Sequence, residues 1–347
     1  MFDAAVRYAG EVRVREWDPG AASQQELETW RLLCNEMLAA DMPGEPRWRA
    51  EGLRNFLAVT MPDEHRLTWI CEDRNGRPLG WADLLLMDDC GIVGVYVCPD
   101  SRRTGAGRRL LAEAVNHAYV SGKSTLGVEI AAGTPGTSFY LAHGFQLTSI
   151  EYRSLLTLST VDWRRLHEHS TRYGFGYRLE YFPGGPPPEL LPAYATAKRA
   201  VQSGPELYPS SYSPERLAAS LATLHDRGLT PHAVCATHNR TGVIAGLTEV
   251  VVPSHRPERA DQYDTVVLPS HRGYGLGLAM KARMLLELRT AAPELRDVQT
   301  WTGLENEPMA RVNAELGFIP NCEWYEFEAD VSALARRLGL DAGSAAA

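Results

Sequence analysis

The feature that most constrains this chain is that it repeats itself. The run VREWDPG at 14–20 resembles LEYFPGG at 179–185, an offset of 165. RNG before PLGWAD parallels RTG before VIAGLTE, with Gly76 and Gly242 separated by 166 positions. CPDSRRTGAG at 98–107 matches LPSHRGYGLG at 268–277, offset 170, and His143-Gly144-Phe145 answers Leu316-Gly317-Phe318, offset 173. Four matches in one order with a slowly drifting offset mark a tandem duplication. Each copy must bury its own core, and 347 residues supply two domains of ordinary size. The charged, turn-rich stretch 157–176 places the expected boundary near 165, giving domains 1–165 and 166–347. The Pro-rich run 183–192 has the composition of a linker, but the repeat aligns it with the turn at Pro19-Gly20.

Both halves show the same order: a strand, one or two helices, a hairpin, a third strand, a Gly-loop helix, another strand, a short helix and closing strands. The fold class is therefore α/β, or more closely α+β, with a mixed, mostly antiparallel sheet flanked by helices in each domain. In the second half the pattern predicts helices over 189–202 and 214–227 and strands over 232–237, 243–252 and 264–268. The Gly-loop helix is expected over 275–289, with Leu278, Leu285, Leu286 and Leu288 as its core stripe. Its first-half counterpart runs from 105 to 120. Hydrophobic residues at 44% and charged residues at 22% exclude wholesale disorder. A net charge of −8, with no Lys/Arg run longer than a pair, argues against nucleic acid and suits a small cationic substrate. Six scattered cysteines without a C-x-x-C pair read as free thiols, and no apolar run is long enough to span a membrane. A cytoplasmic protein is expected, without a signal peptide and with a fraying tail after residue 340.

The chemistry-bearing motif is Arg102-x-x-Gly105-x-Gly107 and its copy Arg272-x-x-Gly275-x-Gly277. Each follows a valine-rich strand and opens a helix. Unpaired amides and the positive end of the helix dipole favour an anion there, and glycine lets backbone approach phosphate oxygens. Neither loop is a Walker loop, and Leu110 and Met280 stand where a dinucleotide fingerprint needs its third glycine. A G-x-S-x-G elbow is missing, and His167-Glu168-His169 lacks further ligands at helical spacing, so no metal is expected.

At these residues the sequence resembles the GNAT acyltransferase superfamily, whose signature is [Q/R]-x-x-G-x-[G/A] after a splayed strand. The tandem arrangement is similar to that of mycothiol synthase and related two-domain enzymes. Phe139-Tyr140-Leu-Ala-His-Gly-Phe145 is similar to the family's F-Y-x-x-x-G-F, and Thr300-Trp301-Thr302 through Phe318 resembles a T-W-N run of one subfamily, with Thr302-Gly303 departing from Trp-Asn.

The resemblance implies acetyl-CoA as donor and direct transfer to a primary amine of a small, cationic metabolite or antibiotic. A non-catalytic acyl-CoA sensor and a protein acetyltransferase are the alternatives. It implies pantetheine along Tyr96, Val97 and Cys98, or Val266, Val267 and Leu268. The pyrophosphate would lie on Arg102, Arg103, Thr104, Gly105, Ala106 and Gly107, or on Arg272, Gly273, Tyr274, Gly275, Leu276 and Gly277. Asn306 and Asn313 suit amide contacts with pantetheine.

Glu249 and its counterpart Asp83 are the candidate general bases, and Tyr140 is the candidate acid for the leaving thiolate. Asn313 stands at the Tyr140 position in the second half, leaving Tyr274, Tyr325 or water for that role. The resemblance implies a catalytic second half, so Glu249 and Arg272 are expected to matter more than Asp83 and Tyr140. Glu323, Glu326, Glu328 and Asp330 alternate with aromatics as the outer face of a late strand. The acceptor loops, 36–52 and 204–214, carry no motif.

Overall fold

The computed structural model describes residues 12–199 and 213–340. The first half runs β1 (Arg13–Glu16), α1 (Gln24–Asp41), α2 (Leu53–Ala58), β2 (His65–Glu72), β3 (Pro78–Leu86), β4 (Cys90–Val97), α3 (Ala106–Val120), β5 (Thr125–Ala131), α4 (Pro135–His143) and β6 (Gln146–Thr157). After α5 (Trp163–Thr171), the order recurs as β7 (Tyr177–Pro183), α6 (Leu191–Arg199), α7 (Pro214–Asp226), β8 (Leu229–His238), β9 (Ile244–Pro253) and β10 (Arg259–Val267). It closes with α8 (Leu276–Ala291), β11 (Asp297–Gly303), α9 (Glu307–Leu316), β12 (Ile319–Asp330) and α10 (Val331–Leu338). The duplicated order thus follows the repeat. Helix α6 is described as far as Arg199, and positions 200–202 of the expected helix, the acceptor loop over 204–212 and the tail after 340 lie outside the described residues. The inward face of α8 centres on Leu276, Met280, Met284, Leu285 and Leu288, with Leu278 and Leu286 only partly buried.

Packing divides the chain into two units, neither continuous in sequence. The first comprises 12–50, 63–150 and 324–340, and the second comprises 51–62, 151–199 and 213–323. In the first unit, β1 to β5 follow one another across the sheet, and the C-terminal part of β12 closes it. Residues 324–330 pair antiparallel with 125–131 of β5. In the second unit the order is β6-β11-β10-β9-β8-β7, with 151–157 of β6 antiparallel to 297–303 of β11. Each copy therefore receives its closing strand from the other half of the sequence. The short helix α2 likewise packs its Phe56, with the nearby Met61, on Leu224, Leu229 and Val251 of the second unit.

A single boundary at 165 differs from this division. It would cut α5, whose Leu166 is buried with Leu285 and Leu288 in the second core. It would also deprive the first core of Phe327, Val331 and Leu334, which pack on Leu110, Leu111 and Leu126. Alternation on β3 points Ala82, Leu84 and Leu86 into that core, which leaves Trp81 and Asp83 on the opposite face.

One pairing detail prepares the site. β4 runs parallel to β5 only over 90–92 against 125–127, and then the two part. β10 does the same with β11, pairing only 259–261 with 297–299.

Because the first core is completed from the far end of the chain, Phe327→Ala should destabilise the N-terminal repeat, by about 3–5 kcal/mol for a buried phenylalanine. Hydrogen exchange should show protection lost in β5 and α3 while β8 and β9 are spared. Loss confined to the second unit would contradict the strand assignment.

Candidate functional site

The site of each unit begins where the parallel strands part. Cys98 N–H donates to Leu79 C=O at 2.9 Å, which fixes the alternation along β4. Val95 and Val97 therefore turn their N–H groups toward the gap that opens beside β5. Val95 N–H donates to the Tyr140 hydroxyl at 3.0 Å. Tyr140 is buried on α4, its ring edge-on to Phe139 and Phe145, and burial pushes its hydroxyl pKa well up, with the Val95 contact working the other way. The sequence-predicted acid thus stands at the head of the gap.

Asp83 faces Gly94 across the β3–β4 pair. A Cβ at Gly94 would come within 2.5 Å of Asp83 Oδ1 and 2.7 Å of the Tyr96 ring, so only glycine leaves room for both. Arg66 Nη1 lies 3.5 Å from Asp83 Oδ2, while the buried Oδ1 has no hydrogen-bond partner. Burial raises the Asp83 pKa above the usual carboxylate value, against the pull of Arg66. On the same face Tyr96 stacks on Trp81 at 4.2 Å, and Trp81 meets Trp30 at 4.9 Å. A carboxylate with a free oxygen therefore sits against an aromatic wall. Behind that wall, residues expected as an acceptor loop are pinned, since Asn35 Oδ1 accepts from Trp48 N–H at 2.7 Å.

The glycine loops have the same backbone in both units. Arg103 and Gly273 are left-handed at φ 62° and 84°, as are Gly105 and Gly275 at 93° and 74°. Five other helices receive a side-chain cap, from Ser23, Asp162, Ser213, Asn306 and Asp330. Helices α3 and α8 start from glycine and receive none, so their first amides stay open to an anion. Thr104 Oγ1 donates to Ser101 C=O at 2.7 Å, Ala106 is buried, and a Cβ at Gly107 would press on Phe139 at 3.2 Å. Cys98 is buried, and burial pushes its thiol up to about 11.

The two arginines differ. Arg102 forks onto Asp41 at 2.9 and 2.6 Å and donates from Nε to Val97 C=O, so its charge is spent on bracing the loop. Arg272 makes the same backbone contact, with Val267 C=O at 3.2 Å, but has no carboxylate at salt-bridge distance among the described residues. Tyr274 is half exposed, and its C=O accepts from Gly174 N–H.

In the second unit β10 carries a bulge between Gln262 and Thr265 that β4 lacks. Gln262 holds it, donating to Glu249 C=O at 2.6 Å and Thr248 Oγ1 at 3.0 Å. The bulge puts Asp264 opposite Glu249, where the first unit has Gly94. Glu249 is not free. Tyr194 donates to its Oε1 at 2.7 Å, and Lys198 Nζ lies 2.7 Å from its Oε2 and 2.9 Å from Asp264 Oδ2. Burial works against the Lys198 charge, but the two carboxylates outweigh it and hold the ammonium protonated beyond its usual range.

Asn313 is buried. Its Oδ1 accepts from Lys281 Nζ at 2.6 Å and its Nδ2 donates to Thr302 Oγ1 at 3.1 Å, so both ends of the amide are engaged inside the protein. Asn306 is the α9 cap, accepting from Met309 N–H at 3.3 Å. Tyr325, offered as an acid for the second half, pairs with Ile130 of the first unit instead. Lys198, Tyr194, Asp264, Lys281, Arg66 and Asp41 were not anticipated. The scarcity of lysine, three in the whole chain, was the signal that could have drawn attention to Lys198 and Lys281.

Residues 64–147 match a family model described as an acetyltransferase (GNAT) domain, a span lying wholly in the first unit. Among solved structures, a tandem GNAT protein from the clavulanic acid biosynthesis pathway superposes with TM-score 0.80 at 24% identity, covering 92% of this chain and 99% of that one. A GCN5-related N-acetyltransferase from Sphaerobacter thermophilus gives TM-score 0.68 at 17% identity, with 92% and 96% covered. A putative acetyltransferase from Pyrococcus horikoshii gives 0.57 at 12%, with 95% and 92% covered. No curated protein sequence matches the chain. The fold is that of tandem GNAT proteins. No described helix is long and apolar enough to cross a membrane.

Lys281 supplies a test of the buried polar chain. Burial lowers its pKa from 10.5 to about 7, so the unfolded chain binds more protons between those values and stability rises with pH across that window. Lys281→Met should flatten that rise in melting temperature; an unchanged slope would contradict the placement.

Proposed function

We propose that this tandem GNAT chain is an acetyl-CoA-dependent N-acetyltransferase whose first unit acetylates a primary amine of a small, cationic metabolite or antibiotic by direct attack. One observation carries the choice of unit. Asp83 and Tyr140 flank the opening beside β4, one with an unpartnered carboxylate oxygen and the other hydrogen-bonded to Val95 N–H. The second unit lacks both features, since Glu249 is bound to Lys198 and Asn313 replaces the phenol. The family match over 64–147 supports the same side. This reading replaces the sequence expectation of a catalytic second half.

The roles follow from position. The amides at the start of α3 and the curl through Gly105 receive the coenzyme's diphosphate. The gap-facing Val95 N–H is the donor available to polarise a thioester carbonyl, the Tyr140 hydroxyl giving up that contact as it turns to the leaving sulfur. Asp83 takes a proton from the acceptor's ammonium, and the wall of Trp81 and Tyr96 favours a cation beside it. A carboxyl of raised pKa is the stronger base, with loss of rate toward acid setting in above the ordinary carboxylate range.

The test is steady-state kinetics of thiol release with a panel of amines. Asp83→Asn and Tyr140→Phe should each lower kcat by about 10²-fold or more, the usual scale for a lost acid or base. Glu249→Gln and Arg272→Ala should leave that turnover within a few-fold. The reverse order would move the activity to the second unit, and no turnover with any amine would favour an acyl-CoA sensor.

A further inference from the structure

We propose that the acceptor of the first unit carries a carboxylate beside its amine, Arg66 reading the carboxylate while Asp83 takes the ammonium. The inference rests on the reading of Asp83 as the acceptor's base and narrows the class of amine which that reading admits. A basic amino acid meets both the new requirement and the preference for a cation.

The register places the groups concerned on one side of the sheet. Thr68 pairs with Asp83, Asp83 with Gly94, and Arg66 with Leu85. Trp17 N–H donates to Thr68 C=O at 2.8 Å, so Trp17, Thr68, Asp83 and Gly94 form a row from the end of β1 to β4. Paired residues share a face and alternate residues along a strand return to it, which puts Arg66 beside that row. Its side chain crosses diagonally to Asp83, Nη1 lying 3.5 Å from Oδ2.

The pair is left open. Elsewhere in this unit Arg15 donates twice to Glu72, at 3.2 and 3.0 Å, and Arg102 forks onto Asp41 at 2.9 and 2.6 Å. Those are closed, charge-assisted pairs. Arg66 makes no such hydrogen bond among the described residues: its Nε is buried without a partner, as is Asp83 Oδ1. A donor of the cation and an acceptor of the anion are thus unused side by side. A ligand with adjacent ammonium and carboxylate groups satisfies both, whereas an ammonium alone answers Asp83 and leaves the guanidinium unmet.

The neighbouring donors favour the same ligand. Trp17 and Trp30, with ring centroids 6.1 Å apart, are buried with indole N–H groups that lack partners. Unmet donors therefore outnumber unmet acceptors here, and what balances them is a ligand that brings oxygens as well as an amine.

The way in lies under Tyr96. A Cβ at Gly94 would meet Asp83 Oδ1 at 2.5 Å and the Tyr96 hydroxyl at 2.9 Å, so that ring lies across the carboxylate. Tyr96 is exposed, and its hydroxyl makes no hydrogen bond among the described residues. An entering acceptor displaces a ring held by its stack on Trp81.

The experiment compares acceptors matched except at the carboxylate: L-lysine with lysinamide and cadaverine, and L-phenylalanine with phenylalaninamide and phenethylamine. Thiol release with acetyl-CoA gives kcat and KM, and calorimetry with coenzyme A present gives Kd, so an acceptor that binds without turnover is still scored. In at least one series the amino acid should exceed its amide and its decarboxylated form by about tenfold or more, the scale of a charge-assisted hydrogen bond. Arg66→Gln should bring that ratio toward unity through KM, with Arg66→Lys intermediate. The ratio is the readout because losing the guanidinium alters Asp83 for every acceptor alike. Equal or weaker use of the amino acid in every series, binding of none of them, or a ratio that survives Arg66→Gln would each overturn the inference. Simple amines turned over in a manner lost in Asp83→Asn would then leave the base assignment standing, whereas turnover that survives Asp83→Asn would overturn the base assignment itself.

Discussion

Two neighbouring strands that pair for three residues and then part are the constraint on which the rest depends. A parallel ladder that stops early leaves backbone donors with no strand to meet, and such groups must find partners or water. In the first unit the cost is met by a phenol, Tyr140 reaching Val95 N–H. That contact places a titratable hydroxyl where an extended ligand would add its own edge. The opening also fixes the direction of approach, because β4 ends by curling through Arg103 and Gly105 into an uncapped helix. Uncapped helix start, free strand donor and buried phenol are consecutive consequences of one break in pairing.

The two copies have kept that break and diverged in charge around it. Where the first unit places Gly94 opposite Asp83, the second inserts a bulge that brings Asp264 beside Glu249. One carboxylate whose arginine lies beside only one of its oxygens keeps the other free, whereas two carboxylates at one point require a cation, and Lys198 supplies it. The side chain that stands at the gap has changed as well. Tyr140 has its counterpart in Asn313, whose amide is taken up by Lys281 and Thr302. The duplication thus keeps the order of elements and the strand break while differing in one bulge and in the side chains around it, as expected when fold is set by packing and function by a few side chains.

Much of this was legible in the sequence because it is local. The glycine loops, the hairpin turns at Gly76 and Gly242 and the order of elements follow from turn residues and periodicity at short range, and they recur in the structure. The exchange of closing strands was not legible. β6 and β12 follow equivalent Gly-Phe turns with similar alternation, and which sheet each completes is decided by packing across more than a hundred residues. Partners distant in sequence were hidden for the same reason. Glu249 read as a free base because Lys198 lies 51 positions away, and Arg102 read as a phosphate ligand because Asp41 lies 61 away. Asn306 is a different case, since an asparagine followed by Glu-Pro at a helix start is itself a cap signature that competed with the family-based reading.

The claim beneath all of this is that the parted strands and the uncapped helix behind them receive a diphosphate-bearing thioester carrier. Isothermal titration of the intact chain with acetyl-CoA tests it most directly. Saturable heat is predicted, reduced when a bulky side chain replaces Gly107 against Phe139. A flat titration, with folded protein confirmed by circular dichroism, would contradict it.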